Sequence, residues 1–433
     1  MDNIVSMDFQ NVNSLNIRLN LFSGNLLPMR SSNSSFPLFW KILSAFGWLS
    51  QFILAIAMVP GSIYVPIEKL LKDGMVAFIV FTELAFMLLR IRSRKNLVCQ
   101  LIQRLNEILH SADETMRNVV TATLEPVKTP LNFYWSAGVI SIIVWSCIPL
   151  VLIFEKNLFR YEDYRMPVAF SKQPFSLRIF LLGSLFILIT AIYLFLKKVS
   201  VDVYMVHLVL MLTAQYRYIA LKIARLFQDK SEGNQFQSQH SSGLSRGTEK
   251  EIRALCRHHN NVLQITLLLK ELLSLNFSLI HVNSVFRFCF IGIMLSTITS
   301  TTLWEAISII MYSTGAIVQL YILCSCVQQL LEASTEITDK AFHENWYLLH
   351  PSIKRIFSLL IMANHLECKI ATFEKFNLSL PSFMTVKILH ISQFFMHSNI
   401  IIFKISHFPN VLPDFKSIVH NRPFIFKNEI KKY

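Results

Sequence analysis

Two ionisable side chains of opposite charge lie inside long apolar runs of the sequence. Residues 74–89 contain Glu83 as their only charged residue, and residues 276–302 contain only Arg287. An isolated charge in the middle of a bilayer costs several kcal/mol, so such groups pair with each other or face a water-filled cavity. We therefore expect Glu83 and Arg287 to form an intramembrane charge pair or to face water inside a helix bundle. Snorkelling of Arg287 to the membrane surface is the alternative.

No other group of residues has the spacing that catalysis or metal binding requires. The sequence contains no Gly-rich phosphate loop, no paired-carboxylate site and no nucleophile–base motif. Cys324 and Cys326 flank a single Ser without a His or a second Cys pair at metal-ligand spacing, which favours packing within the membrane over zinc binding. We predict that the protein is not an enzyme and has no catalytic residue, no metal and no cofactor.

The composition indicates that these charges sit in membrane-spanning helices. Of the 433 residues, 53% are hydrophobic and only 16% are charged, against about 25% charged in an average soluble domain. About 20 helical residues span the roughly 30 Å of the hydrocarbon layer. Six apolar runs approach or exceed that length, namely residues 41–60, 74–89, 134–154, 176–196, 276–302 and 303–326. A weaker seventh run, near residues 380–403, is interrupted by Lys387, His390 and His397.

We predict an all-α, polytopic membrane protein with seven transmembrane helices and a helical cytoplasmic anchor region. Residues 1–40 form the N-terminal segment, and residues 41–328 contain segments 1–6 with the cytoplasmic helices between them. Residues 329–375 form the anchor helices, residues 376–404 the seventh segment and residues 405–433 an atypical tail.

The distribution of basic residues predicts the orientation. Stretches that hold 7, 11 and 5 Lys and Arg alternate with stretches that hold 2, 5 and 0. The rich stretches are residues 90–131, 197–275 and 329–375, and the poor ones are residues 61–73, 155–178 and 301–304. Because cytoplasmic loops are enriched in Lys and Arg, the rich stretches and the N-terminus are predicted to be cytoplasmic. The C-terminus is then extracellular if segment 7 spans the membrane. This orientation is opposite to that of G-protein-coupled receptors. The predicted cytoplasmic stretches hold most of the basic residues, so the net charge of +14 does not indicate nucleic-acid binding.

Two of the cytoplasmic stretches have the apolar periodicity of helices. Residues 90–112 place Leu at every fourth position from Leu97 to Leu109, and residues 251–275 show a similar apolar face. Such stripes must be buried against each other. Residues 229–249 are rich in Ser, Gln and Gly and predict a flexible loop.

The anchor region contains motifs of a known family. Ala341 and Phe342 are followed after three residues by Trp346, and a Lys354-Arg355 helix follows. A Met-Ala step and a Phe-x-Leu-Ser-Leu run then lead towards the last segment. This pattern resembles the insect odorant receptor family, and the resemblance covers residues 35–385 in layout. The terminal signature of the related gustatory receptors is absent, although a gustatory-type receptor channel remains an alternative. A transporter, with Glu83 and Arg287 as a midplane substrate site, is a second one.

The resemblance implies an odorant-gated, non-selective cation channel in the plasma membrane of olfactory sensory neurons. Four subunits, including a shared odorant co-receptor, would surround one pore as a hetero-tetramer in the lipid bilayer. The seventh helix would line that pore. Trp346 is the candidate subunit anchor. The tail, from about residue 386, is rich in residues of A/T-rich codons, and we interpret it as the translation of an unspliced intron or an alternative exon.

The resemblance also implies a pocket for a small volatile odorant in the outer half of the membrane, between segments 2, 3, 4 and 6. Such a pocket needs aromatic and aliphatic walls with one or two polar groups. Ser141, Trp145 and Ile148 are spaced to share one helix face, and Trp145 is the leading candidate. The full candidate set is Phe78, Phe81, Ser141, Trp145, Ile148, Phe186 and Tyr312.

Overall fold

Helices dominate the structure, which is a computed structural model. It describes residues 7–12, 14–29, 36–66, 70, 74–233, 246–296, 303–343, 351–364, 371–372 and 376–377. The helices are α1 (Phe9–Val12), α2 (Ser14–Phe22), α3 (Leu38–Tyr64), α4 (Met75–Ser93), α5 (Lys95–His110), α6 (Glu114–Cys147), α7 (Leu177–Gly233), α8 (Arg246–Ser296), α9 (Leu303–His343) and α10 (Pro351–Asn364). Two antiparallel strand pairs are the only sheet in the described ranges: β1 (Leu158–Phe159) with β2 (Phe175–Ser176), and β3 (Ala371–Thr372) with β4 (Phe376–Asn377). The predicted helical fold class is confirmed.

Each of the six firm apolar runs lies largely within a helix, although the run at residues 134–154 continues past α6 into a 3-10 helix (Ile148–Phe154) and the run at residues 276–302 is described only as far as Ser296, the end of α8. Five helical stretches in the described part of the chain, built on α3, α6, α7, α8 and α9, are long and apolar enough to cross a membrane. The run at residues 74–89 forms α4, which has 19 residues and is not among those five. The protein is therefore a multi-pass membrane protein. Of the predicted seventh segment only Phe376 and Asn377 are described, and they form β4 instead of helix; the remainder and the tail lie outside the described residues.

The long helices continue well beyond the length that a membrane span requires. The 57 residues of α7 extend over about 85 Å at 1.5 Å per residue, nearly three times the hydrocarbon thickness. The predicted cytoplasmic helix at residues 251–275 is the first half of α8. Helix also covers both ends of the predicted loop at residues 229–249, because α7 ends at Gly233 and α8 begins at Arg246.

One hydrophobic core joins the amphipathic helices predicted at residues 90–112 and 251–275 to the spans. Its residues include Leu101 and Leu105 of α5, from the predicted leucine stripe, and Val262 of α8, all almost fully buried. Phe9 of the N-terminal segment is buried in the same core. Burial of these stripes explains why the amphipathic helices fold against each other on leaving the membrane.

Residues 158–176, from β1 to β2, cover one end of the spans, and we call this segment the cap. Tyr164 stacks on Phe175 and Phe180 with ring centroids 5.3 Å apart in each case, and its hydroxyl donates to the Ile179 carbonyl at 3.0 Å. The Ala169 amide donates to the carbonyl of Ala57 in α3 at 2.9 Å. These contacts fix the segment between β1 and β2 over the helix ends.

Asp113 is the N-cap of α6, and its contribution to the stability of the protein can be tested by substitution. Its Oδ1 accepts from the Met116 amide at 2.8 Å, and its Oδ2 lies 2.8 Å from Lys222 Nζ. The ion pair is partly exposed and contributes little, so Asp113→Ala should lower the free energy of unfolding by about 1 kcal/mol through loss of the cap. Asp113→Asn retains a capping oxygen and is the control in thermal unfolding of the purified protein.

The same residue predicts a dependence on pH. Burial raises the pKa of the Asp113 carboxyl, but the hydrogen bonds from Lys222 and from the Met116 amide outweigh it, so the pKa lies below its ordinary value. The stabilisation is fully present above the pKa of an unfolded Asp, about 3.9, and is lost as the pH falls through the lower folded-state value. Wild type should therefore lose an increment of stability in acid that Asp113→Asn does not lose; equal acid profiles would contradict this.

Candidate ligand-binding site

A cavity of about 150 Å³ lies among six helices, directly below the cap. A cavity of roughly this volume with apolar walls holds a molecule the size of benzene. Its walls are Leu54, Ala77, Val80, Ser141, Ile142, Trp145, Arg165, Met166, Ala191, Leu194, Phe195, Met294, Ser308, Ile309 and Tyr312. An apolar enclosure with a few convergent polar groups is the usual form of a small-molecule site.

Three of the seven candidate residues line this cavity. Ser141 and Trp145 lie four residues apart on α6, and Tyr312 lies on α9. The Ser141 hydroxyl donates to the Ser308 carbonyl at 3.3 Å, which ties α6 to α9 at the cavity wall. The guanidinium of Arg165 lies 5.7 Å from the centre of the Trp145 ring.

The other four candidates are not brought to the cavity. Phe78 is 57% exposed on the outer face of α4, and Phe81 and Ile148 are partly buried elsewhere. Phe186 packs edge-on against Phe170, with ring centroids 5.6 Å apart. Phe78 and Phe81 each follow a wall residue of α4 by one position and therefore point to another face. Ile148 lies beyond the end of α6, in the 3-10 helix Ile148–Phe154, where the α-helical spacing no longer holds.

Other residues of α4 and α7 form the walls in place of those four candidates. Ala77 and Val80 of α4 face the cavity, as do Ala191, Leu194 and Phe195 of α7. Choosing candidates by residue type misses them. The apolar spacing of three and four residues along each helix is the signal that could have found them.

Below the cavity, the two intramembrane charges belong to a larger polar cluster. This polar cluster consists of Glu83, Tyr134, Lys198, Asp202, Arg287 and Gln319. Lys198 Nζ lies 2.9 Å from Glu83 Oε1 and 2.5 Å from Asp202 Oδ1. Asp202 Oδ2 accepts from the Tyr134 hydroxyl at 3.1 Å and from Gln319 Nε2 at 2.7 Å. Arg287 Nη1 donates to Gln319 Oε1 at 2.7 Å.

The cluster corrects the expected direct pairing of Glu83 with Arg287. Both side chains are buried inside the bundle, with 2% and 4% exposure. The ion-pair partner of Glu83 is Lys198, however, and Arg287 reaches Asp202 only through Gln319. Lys198 follows the apolar run at residues 176–196, but α7 continues past it and buries it. Two cationic and two anionic side chains give the cluster a formal charge of zero.

The polar cluster and the cavity share a boundary. Phe195, a cavity wall residue, packs edge-on against Tyr134 of the cluster, with ring centroids 5.8 Å apart. Tyr312, another wall residue, is within electrostatic reach of Arg287. A ligand in the cavity would therefore contact side chains that touch the cluster.

Two larger grooves differ from the cavity in the charge of their walls. One, of about 760 Å³, lies between α5 and α8; the other, of about 450 Å³, lies among α6, α7 and α9. Both contain several charged side chains, whereas the wall of the cavity contains one, so the grooves suit a small apolar molecule less well. We therefore place the candidate site in the cavity.

Comparison with known proteins agrees with this architecture. The family model described as 7tm Odorant receptor matches residues 70–389. The chain belongs to the odorant receptor family. This match favours an odorant receptor over the gustatory-type and transporter alternatives. It is also consistent with the prediction that the protein is not an enzyme.

Solved insect olfactory receptors have a similar fold. The receptor OR5 from Machilis hrabei in complex with eugenol gives a TM-score of 0.71 at 12% identity, covering 91% of this chain and 100% of that chain. The structure of OR5 described without eugenol also gives 0.71, at 11% identity, with 90% and 99% covered. At such identities the likeness establishes the fold alone. No curated protein matches the chain in a sequence comparison.

Gly138 gives the receptor a testable contact at the cavity wall. A Cβ at this position of α6 would overlap the ring of Phe195, so Gly138→Ala must displace that ring from its place between the cavity and Tyr134. We expect a loss of about 1–3 kcal/mol in unfolding free energy, as for overpacked cores, and weaker ligand responses. Gly315→Ala is the matched control, because nothing lies within 4 Å of a Cβ there. Equal behaviour of the two variants would exclude this contact as a determinant of the cavity.

Trp346 lies outside the described residues, so its predicted anchor role is not tested by any contact. Ala341, in the same motif, is fully buried in the core near the end of α9.

Proposed function

We propose that this odorant receptor binds small volatile molecules in the cavity and, with a co-receptor subunit, forms a ligand-gated cation channel in the plasma membrane of olfactory sensory neurons. The observation that supports the proposal best is the largely apolar cavity beneath the cap, in a chain of the odorant receptor family. The complex of the Machilis hrabei receptor with eugenol supports small-molecule binding by this fold.

Within the cavity we assign contact roles to Trp145, Ser141 and Tyr312. The indole of Trp145 offers a large flat wall for an apolar ligand, and the hydroxyls of the other two supply polar groups that can orient it. The remaining four aromatic and aliphatic candidates are left out of this contact set, because they do not line the cavity.

We further propose that the N-terminus is cytoplasmic and that the cap faces outward. The 23 Lys and Arg of the rich stretches, against 7 in the poor ones, support this orientation. A ligand from the outside would then reach the cavity past the cap. An epitope tag on the N-terminus should be inaccessible to antibody in intact cells and accessible after permeabilisation; labelling of intact cells would contradict the orientation.

Co-expression with the co-receptor tests the channel. Volatile-evoked cation current should require both chains, and the receptor chain should set which volatiles evoke it. Co-receptor alone is the control for any background response. A receptor chain that reaches the cell surface with the co-receptor, yet adds no response to a broad panel of small volatiles, would contradict the proposal.

A further inference from the structure

The cavity has one charged residue in its wall, and this residue lies in the cap. Arg165 is the only ionisable member, apart from the Tyr312 phenol, among the described residues that line it. Its Nη1 lies 2.9 Å from Oε1 of Glu305, in the first turn of α9, and its guanidinium lies against the Trp145 ring. The two charged side chains are only 10% and 17% exposed.

The cap holds Arg165 in a fixed position. The neighbouring Tyr164 is anchored by its ring stacking and by its hydrogen bond to Ile179. On the other side, a Cβ on Gly61 of α3 would overlap the backbone of Pro167, so the cap lies directly on that helix. A group held this firmly meets a ligand with little loss of conformational freedom, which favours discrimination between similar ligands.

The charge of Arg165 determines which polar groups the cavity tolerates. A positive group at the wall attracts the electron-rich oxygen of a carbonyl and repels an ammonium group, and the partly dry surroundings strengthen both effects. Glu305 balances the charge of Arg165, so a full carboxylate would meet a nearby negative charge and would also lose its hydration. A neutral hydrogen-bond acceptor is attracted by Arg165 and avoids both the repulsion by Glu305 and the cost of burying a charge.

We propose that Arg165 is the specificity-determining residue of the cavity and that it selects neutral, benzene-sized molecules with one hydrogen-bond acceptor, such as small aldehydes, ketones and esters. Hydrocarbons of the same shape bind more weakly, and amines bind most weakly. The inference rests on the proposed function, because it requires the cavity to be the ligand site.

Three probes of equal size test the selection. Benzaldehyde, styrene and benzylamine have the same number of non-hydrogen atoms, and they end in a carbonyl, a vinyl and an ammonium group. Dissociation constants are measured from ligand-induced shifts in the thermal unfolding of the purified receptor. Wild type should bind benzaldehyde about tenfold more tightly than styrene, as expected for a hydrogen bond to a charged group, and benzylamine most weakly.

Substitution of Arg165 should remove the preference without removing the cavity. In Arg165→Met the dissociation constants of benzaldehyde and styrene should become equal to within about twofold, with styrene binding retained. The double variant Arg165→Met with Glu305→Gln removes both charges and serves if the single variant does not fold. Lys156→Met is the matched control, because Lys156 forms an ion pair with Asp163 in the same cap at 2.6 Å and does not line the cavity; it should keep the wild-type preference.

The outcomes separate this inference from the proposed function. Equal affinities for benzaldehyde and styrene in wild type, or a preference that persists without Arg165, would overturn the role of Arg165 and leave the cavity as the ligand site. Failure of wild type to bind any of the three probes, or binding that Trp145→Ala does not weaken, would count against the cavity itself.

Discussion

Asp202→Ala is expected to destabilise the receptor by about 3–5 kcal/mol, the cost of breaking a buried ion pair by removing one partner. Asp202 is 2% exposed and is the junction of the polar cluster, since it pairs with Lys198 and accepts hydrogen bonds from Tyr134 and Gln319. Its loss leaves two cationic side chains against one carboxylate in a buried site. Thermal unfolding of the purified receptor and the amount at the cell surface should both fall sharply.

A surface pair of the same chemistry is the control for this variant. Glu125 and Lys128 lie 3.1 Å apart on α6, with more than 60% of each side chain exposed, so Glu125→Ala should change the stability by less than about 1 kcal/mol. A small effect of Asp202→Ala, comparable to that of Glu125→Ala, would contradict the buried, mutually dependent cluster described here.

Trp145→Ala should weaken responses to cavity ligands by about 30-fold or more, because loss of a buried aromatic anchor commonly costs about 2 kcal/mol or more of binding energy. The substitution removes the indole wall and also the ring against which Arg165 packs. Ligand dose–response curves, measured at matched surface expression, give the effect directly.

Trp135 on the same helix supplies the comparison. It is 41% exposed on the outside of α6 and does not line the cavity, so Trp135→Ala should leave the dose–response curves close to wild type. Equal shifts for the two Trp variants would mean that the effect reflects general damage to α6 instead of ligand contact.

Hydropathy was sufficient to find the spans, but it could not show how far the helices continue. The runs at residues 134–154 and 176–196 fall within α6 with its following 3-10 helix and within α7, because a run of 20 apolar residues satisfies its backbone hydrogen bonds only as a helix in lipid. Beyond each apolar run the pattern changes from apolar to amphipathic, and hydropathy alone indicates this change as a boundary. The helix itself has no reason to stop there.

The burial of Glu83 and Arg287 could likewise be predicted, whereas their partners could not. The cost of an isolated charge in lipid requires that both face the bundle interior. Lys198, however, stands beside Lys197 at the end of an apolar run, a pattern typical of a membrane boundary. Only the packing of α4 against α7 brings Lys198 next to Glu83.

The cavity was predictable in part for a similar reason. Ser141 and Trp145 could be placed on one face because their spacing within a single helix fixes it. Arg165 lies in a loop whose path over the helix ends depends on aromatic stacking within the cap, and nothing in its local sequence signals a cavity wall.

A single-particle cryo-electron microscopy map of the receptor with its most potent volatile ligand tests the central claim most directly. We predict ligand density in the cavity, between Trp145 of α6 and Tyr312 of α9, below Arg165. Ligand density at another place, with this cavity empty at saturating concentration, would contradict the account.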